Sequence, residues 1–483
     1  MEFPEEIWTQ IFSQLIPQND PHSNEKYYPY RPLRTLCLVS RSFRRLAQPI
    51  LYHTVFIVID RALSHRALKL LRTLYQCPSL ARAVRSLSVA SFCISDEKPN
   101  FSDKATFLDG VLQSLDIPSL LKAQLDIKPS SQEEMDAKEE MDAQEEVDEE
   151  EVDGVPMILA LTTAVQHVDI TISELNWHVR ISHQLAGSMQ PDGPDPPRNY
   201  ANYGLPNLKH ISINANDSPM NTSISYVEPA LLRSDLISLR LAHVNWHSAW
   251  VEPVARPSRT CNLHSLILDD CIVDEVTLKD ILKRYPKLRR LSLKCADGYS
   301  AVDIDNYDEG DVAPWTWRSG PFGDVLREYG KQLEELTLLT DFHRERIYGF
   351  STPEDETMLG SFHDFPSLRK MEVSFRELFG PEDRDGRVIM DMGLFPPSLE
   401  EIVIPSNHGA HFREVLALMR NHALPKLRRV TLRYTCASSL NLMAISEKEI
   451  PGWTYLERKL LDRMPIKVYC LNFVKLPIEQ NLL

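Results

Sequence analysis

The chain has 483 residues, 53 Lys and Arg against 68 Asp and Glu for a net charge of −15, 17 Gly and 8 Cys. So acidic a chain is a poor general binder of the phosphate backbone, its glycine share is about half the usual ~7% and argues against glycine-rich phosphate cradles, and its few scattered cysteines are no secreted disulfide scaffold. The acidic opening Met1–Glu6 does not read as a signal peptide, and no apolar run approaches the ~20 residues of a membrane span, so a soluble protein of the cytoplasm or nucleus is expected, without nucleic-acid or membrane partners.

The first predicted element is a helix over Pro4–Leu15. Pro4 suits its first turn, and Glu5 and Glu6 suit the positive end of the helix dipole. Ile7, Ile11 and Leu15, with Trp8 and Phe12, form one apolar stripe. A polar insertion over Pro17–Arg31 separates it from the apolar run Leu33–Val39. Ser40 is placed to cap a third helix, Arg41–Gln48, which buries Phe43, Leu46 and Ala47. Ile50-Leu51-Tyr52 then leads into a strand, Thr54–Ile59.

This opening resembles an F-box. The likeness rests on Pro4, Ile7, Ile11, Phe12 and Leu15, on Leu36-x-Leu38-Val39-Ser40-Arg41-x-Phe43-Arg44-x-Leu46-Ala47, and on Pro49-Ile50-Leu51-Tyr52. Phe3 stands where the family usually has Leu, and the first loop is longer than usual. The resemblance implies an F-box over residues 1–52 that docks a Skp-type adaptor, and through it a cullin scaffold and a RING subunit. Its adaptor-facing and packing positions would be Pro4, Ile7, Trp8, Ile11, Phe12, Leu15, Leu36, Val39, Phe43, Leu46 and Leu51. It further implies that the rest of the chain captures a target protein for ubiquitin transfer, with no catalytic residue, metal or cofactor of its own.

Further along, residues 132–153 hold 13 carboxylates and one Lys, so this window carries −12 of the chain's −15. Such a tract has no apolar face to bury and reads as a solvated insertion, bounded at 129–154; the sharper alternative is a docking tail for a basic partner. Two more breaks, 187–204 and 298–321, read as loops. The second contains Trp315 and Trp317.

One short pattern, apolar-x-x-apolar-x-apolar, recurs through the chain. It occurs as Val84/Leu87/Val89, Val165/Val168/Ile170, Leu208/Ile211/Ile213, Leu236/Leu239/Leu241 and Leu263/Leu266/Leu268. It continues as Leu288/Leu291/Leu293, Leu333/Leu336/Leu338, Leu368/Met371/Val373, Leu399/Ile402/Ile404 and Leu427/Val430/Leu432. Val468/Leu471/Phe473 reads as a last copy and Tyr52/Val55/Ile57 as a weak first one. The second and third apolar positions alternate as in a strand with one buried face. Pro206, Pro286, Gly330, Pro366, Pro397 and Pro425 punctuate the lead-ins. Helical spacing fills some gaps: Asp274–Tyr285 with Val276, Leu278, Ile281 and Leu282 on one side, Phe412–His422, and Tyr455–Met464.

Copies starting at 208, 236, 263 and 288 give steps of 28, 27 and 25, within the 20–29-residue period of leucine-rich repeats. The pattern resembles leucine-rich repeats in degenerate form. With Thr73-Leu74, Pro78-x-Leu80-Ala81 and Val84-Arg85-x-Leu87, the continuation is similar to fungal F-box proteins that carry such repeats. The expected fold class is thus α/β: a three-helix F-box, then an irregular solenoid of strand–helix repeats over 53–483, a horseshoe in which stacking supplies the neighbour that each unit lacks. An ordinary α/β domain is the alternative.

On the strand face turned away from the apolar positions, the outward residues include Arg240, Asp269, Arg290, Lys294, Glu335, Lys370, Arg429 and Arg433. This set is the expected target-binding surface. The basic clusters Arg290/Lys294 and Arg429/Arg433 would suit an acidic or phosphorylated segment. His243 and His247 lack the glutamate of a zinc helix, Cys37, Cys271 and Cys470 read as small core side chains, and no C-x-x-C, G-x-S-x-G or Walker pattern occurs. The leading reading is a substrate receptor of a Skp–cullin–F-box ligase. Alternatives are an adaptor-binding scaffold without ligase function and, more remotely, an enzyme on an α/β fold.

Overall fold

The structure is a computed structural model. It describes residues 4–15, 31–59, 64–91, 107, 110–111, 113–114, 155–172, 205–215, 223–224, 231, 233–248, 261–295, 319–340, 358–373, 375–380, 391–406, 418–419, 424–434, 453–461 and 468–475. The chain divides into two units, residues 1–216 with 226–236, and residues 217–225 with 237–483.

The first unit opens with three helices, α1 (Glu5–Ser13), α2 (Arg31–Val39) and α3 (Arg41–Leu51). Pro4 precedes α1 in an extended conformation, with Glu5 and Glu6 in the first turn. Ser40, at φ −156°, caps α3 by accepting the Phe43 N–H at 3.0 Å. The expected end at Gln48 is passed: α3 runs through Pro49 to Leu51, because a proline in the last turn removes one hydrogen bond while the Tyr52 N–H still reaches the Gln48 carbonyl at 3.1 Å. Then follow β1 (Thr54–Ile59), α4 (Ser64–Gln76), α5 (Pro78–Ala83), β2 (Ser86–Ser91), α6 (Val155–Leu161), β3 (His167–Ile172) and β4 (His210–Ala215). Strands β1 to β4 pair in sequence order and in parallel, with Val55 beside Leu87, Leu87 beside Val168 and Val168 beside Ile211.

The second unit holds β5 (Ser238–Ala242), the two-residue β6 (Asn245–Trp246), β7 (Ser265–Val273), α7 (Glu275–Arg284), β8 (Arg290–Cys295), α8 (Ser319–Tyr329), β9 (Glu335–Thr340) and β10 (Lys370–Val373). After the short helix α9 (Phe375–Phe379) come β11 (Glu401–Ser406), β12 (Arg429–Tyr434), β13 (Trp453–Leu461) and β14 (Val468–Lys475). Strands β5, β7, β8, β9, β10, β11 and β12 form an open parallel run, and β6 adds beside β7. The register never drifts at the apolar position: Leu239, Leu266, Leu291, Leu336, Met371, Ile402 and Val430 are successive partners. All ten full copies of the pattern are buried at all three apolar positions.

A second regularity locks this register. One carbonyl ahead of each strand accepts two consecutive N–H groups of the next copy. The Arg289 carbonyl takes Glu334 and Glu335 at 2.7 and 3.0 Å, that of Glu334 takes Arg369 and Lys370 at 2.8 and 3.1 Å, and that of Arg369 takes Glu400 and Glu401 at 2.8 and 2.9 Å. Each strand therefore starts level with its neighbour, which satisfies backbone groups at the sheet edge.

Helix α7 follows the expected spacing. Asp274 caps it through the Thr277 N–H at 3.0 Å, and Leu278, Ile281 and Leu282 are buried, although Val276 faces solvent. In α8, Gly323 is required, since a Cβ there would lie 1.8 Å from the Leu359 carbonyl oxygen.

Three expectations need correction. Residues 455–461 of the expected helix Tyr455–Met464 belong to strand β13, which pairs antiparallel with β14; a bulge between Tyr455 and Glu457 breaks the alternation that marks a strand. The last apolar copy, at Val468, is a strand but runs antiparallel to β12, so the sheet ends on a hairpin rather than on another parallel unit. The loop expected over 298–321 gives way to α8 at Ser319. Of the expected helix Phe412–His422, Leu418 and Met419 are described; both are helical and buried. The acidic tract, the loop 187–204, Trp315 and Trp317 lie outside the described residues.

Candidate functional site

The three N-terminal helices make a very small core. Phe12, Leu33 and Ala47 are its fully buried residues, and Trp8, Leu15, Leu36, Cys37, Phe43, Leu46, Ile50 and Leu51 pack around them partly exposed. Its centre is an aromatic trio: Trp8, Phe12 and Phe43, with ring centroids 5.0–5.8 Å apart and Phe12 edge-on to Phe43. Arg45 reaches back to Glu5, joining α3 to α1, and Arg44 donates from Nε to the Cys37 carbonyl at 3.1 Å, joining α3 to α2. Burial pushes the Cys37 thiol up, with nearby Arg44 opposing it.

The structure sorts the apolar positions implicated by the F-box resemblance. Phe12 is core. Trp8, Leu15, Leu36, Phe43, Leu46 and Leu51 hold the helices together at its margin. Pro4, Ile7, Ile11 and Val39 face outward, Ile7 at 39%, Ile11 at 45% and Val39 at 63% exposure. Leu38, part of the F-box-like motif but not among the expected adaptor-facing positions, is more exposed still at 79%. The helical wheel of α2 holds the signal. Leu33, Leu36 and Cys37 are spaced i, i+3, i+4 and turn inward, which leaves the adjoining Leu38 and Val39 off that stripe. Large aliphatic side chains in water on so small a unit make these positions the candidate interface.

Many of the outward strand positions in the second unit are charged, and the register brings opposite signs together. Arg240 and Lys294 both bind Asp269, each at 2.7 Å. Burial alone would raise the Asp269 carboxyl; Lys294 and Arg240 outweigh it and hold it below its ordinary range. Arg290 lies 3.4 Å from Glu335, Lys370 3.0 Å and Arg429 3.6 Å from Glu401, and Arg433 contacts Glu372. One residue earlier a second row repeats the theme: Glu334 takes Arg369 at 2.5 Å and Arg289 at 2.6 Å, and Glu400 takes Arg428 at 2.5 Å. Across β8 to β12 the signs thus alternate in both rows.

The eight residues expected to meet a target lie on these strands, and all of them are in ion pairs. The basic clusters Arg290/Lys294 and Arg429/Arg433 are accordingly met by carboxylates: Arg290, Lys294 and Arg429 by those of adjacent strands, and Arg433 by Glu372 two strands away. The row at Arg289, Glu334, Arg369, Glu400 and Arg428 was missed from the sequence, although its sign alternation at one repeat position was there to be read.

Elsewhere, His167 and His210 stack on adjacent strands with rings 4.3 Å apart and nearly parallel. Burial lowers both imidazoles; His210 and His53 add to the effect at His167, and Lys209 adds to it at His210. Cys271 is buried and its thiol is pushed up to about 12, a structural rather than reactive sulfur. His243 and His247 flank β6 rather than share a helix, and His247 lies 3.9 Å from Asp274. Among the described residues, no group of three or more His, Cys, Asp or Glu is placed to hold a metal ion, and no helix is long and apolar enough to cross a membrane.

The three-helix arrangement with its outward aliphatic side chains falls within a recognised class. An F-box-like family model matches residues 2–58, the stretch that spans α1, α2, α3 and β1 as far as Val58. The chain therefore carries an F-box-like domain, and F-box domains typically bind Skp-type adaptors. A search of curated proteins found no match.

Proposed function

We propose that the chain is the substrate receptor of a Skp–cullin–F-box ubiquitin ligase. The F-box-like domain docks the adaptor, which brings cullin and the RING subunit, and the remainder captures a target protein. The observation that carries the reading is the exposure of Ile7, Ile11, Leu38 and Val39 on a domain matched as F-box-like. Burying each such side chain against a partner stabilises the complex by roughly 1.5–3 kcal/mol. In this reading the in-register strand units are degenerate leucine-rich repeats, and they present the paired charges of Arg240, Asp269, Arg290, Lys294, Glu335, Lys370, Arg429 and Arg433 to the target. The protein does no bond chemistry; it raises the effective concentration of the target beside a charged conjugating enzyme in cytoplasm or nucleus.

The test is co-purification of adaptor and cullin with the intact chain and with the double variant Pro4→Ala, Ile11→Asp. Asp at position 11 replaces an apolar contact with a desolvated carboxylate, so both partners are lost while the sheet units stay folded. Retention of the adaptor by a folded double variant refutes the docking reading. Adaptor binding without cullin in the intact chain selects the scaffold alternative.

A further inference from the structure

Residues 31–91 hold eleven Lys and Arg against a single carboxylate, Asp60, whereas residues 132–153 hold 13 carboxylates against one Lys. The basic stretch covers α2 to α5 and β2. Arg34, Arg41, Lys69, Arg72 and Arg82 are exposed along it. Among the described residues, Glu5 is the carboxylate that pairs with a cation of this stretch, through Arg45. The contrast with the second unit, where strand cations meet carboxylates from other strands of the sheet, is plain. Uncompensated like charges exposed along neighbouring helices repel, and a polyanion relieves that repulsion.

The course of the chain supplies the polyanion. Ahead of the acidic tract, Phe107 packs edge-on against Tyr75 with centroids 6.4 Å apart and lies 5.0 Å from the Arg72 guanidinium, and Val111 is fully buried. Behind it, α6 begins at Val155, two residues past Asp153, and packs on α4 with Met157, Ile158 and Leu159 buried. The chain is therefore tethered to α4, the helix that carries Lys69 and Arg72, two residues behind the tract and again at Phe107 further ahead of it. A short tether of this kind gives an effective concentration on the order of millimolar.

We propose that the cationic face of α2 to α5, centred on Lys69, Arg72 and Arg82, is a docking surface whose occupant is the chain's own acidic tract, residues 132–153. The tract binds there in cis by charge and competes with any anionic partner for the same face. The proposal does not depend on the F-box reading.

The experiment uses the full chain and a fluorescent polyglutamate peptide of the tract's length at low salt. In one variant every carboxylate of 132–153 is changed to its amide, which preserves length. That variant binds the peptide about tenfold or more tightly than the intact chain, the advantage of a tethered competitor. Adding Lys69→Glu, Arg72→Glu and Arg82→Glu to it abolishes binding. In the intact chain, carbodiimide links Lys69 to a tract carboxylate, and the link disappears at high salt, where the Debye length falls to ~3 Å at 1 M. A mixture of isotopically light and heavy chains gives links within one label only. Equal peptide binding by both chains, no binding by either, absence of the Lys69 link, or links between labels, which place the tract on a second copy, each overturns the proposal.

Discussion

In the second unit, Leu266, Leu291, Leu336, Met371, Ile402 and Val430 each sit between like partners on adjoining strands and are removed from solvent. Among the described residues of helices α1 to α3, Phe12, Leu33 and Ala47 are the buried core, and Ile7, Ile11, Leu38 and Val39 stay in water. The two regions use the same residue types for different ends. A strand in the sheet finds its apolar neighbour within the chain, because the next copy arrives in register. A three-helix unit of this size has too little interior to hold its own aliphatic side chains, so part of its apolar surface stays exposed. Apolar side chains in the sheet thus serve stability, whereas those on the outer faces of α1 and α2 serve binding in the function proposed above.

That division can be broken by exchanging losses. Leu291→Ala in the middle of the parallel run should cost about 2–5 kcal/mol in a denaturant titration, with no direct effect on adaptor capture. A cost below about 1 kcal/mol would mean that the stacked leucines do not form the core that holds the unit. Leu38→Asp should do the reverse. It should leave the thermal midpoint unmoved and weaken adaptor binding by about tenfold to a hundredfold, read as co-purification or by titration. Unchanged binding would remove Leu38 from the interface and confine it to Ile7, Ile11 and Val39.

The charged rows sharpen the comparison at lower energy. Asp269→Asn should cost about 1 kcal/mol, because its partners Arg240 and Lys294 are partly hydrated. Lys294 and Arg240 depress the Asp269 carboxyl below its ordinary value near 3.8. Its contribution is therefore complete above that value and is lost as pH falls through the lower folded-state value. Stability measured from pH 5 downward should fall more steeply for the intact chain than for Asp269→Asn, and parallel curves would show that the carboxylate contributes nothing. Smallest of all, deleting Glu133–Asp153 should shift the thermal midpoint by no more than about a few degrees, since long insertions cost little loop entropy. A cooperative loss of structure would show that the tract is part of a core.

The parallel strands were legible because burial on one face leaves an apolar-x-x-apolar-x-apolar trace, and ten traces share one phase. The closing hairpin was not, because the bulge after Tyr455 places Leu456, Leu460 and Leu461 at a spacing that reads as helical. The F-box-like helices could be read from their stripes. Which side chains faced outward was not legible from residue type, since Leu36 and Leu38 are equally apolar, and only their different angle around α2 separates them. The ion pairs were hidden for another reason: Arg240 and Asp269 are 29 positions apart and Arg433 and Glu372 are 61 apart, so only the register joins them.

The alternation of sign across β8 to β12 has a consequence for how this chain tolerates gain and loss of units. Remove the unit that contributes β10, and Glu335 would lie opposite Glu401 while Glu334 lay opposite Glu400, two like-charge contacts in adjoining rows, which cross-strand pairing penalises. Remove β9 and β10 together, and Arg290 meets Glu401 while Arg289 meets Glu400, restoring attraction in both rows. The charged face therefore acts as a parity check on repeat number: through this stretch of the sheet, duplication or deletion in twos preserves the electrostatic match, and a change of one does not.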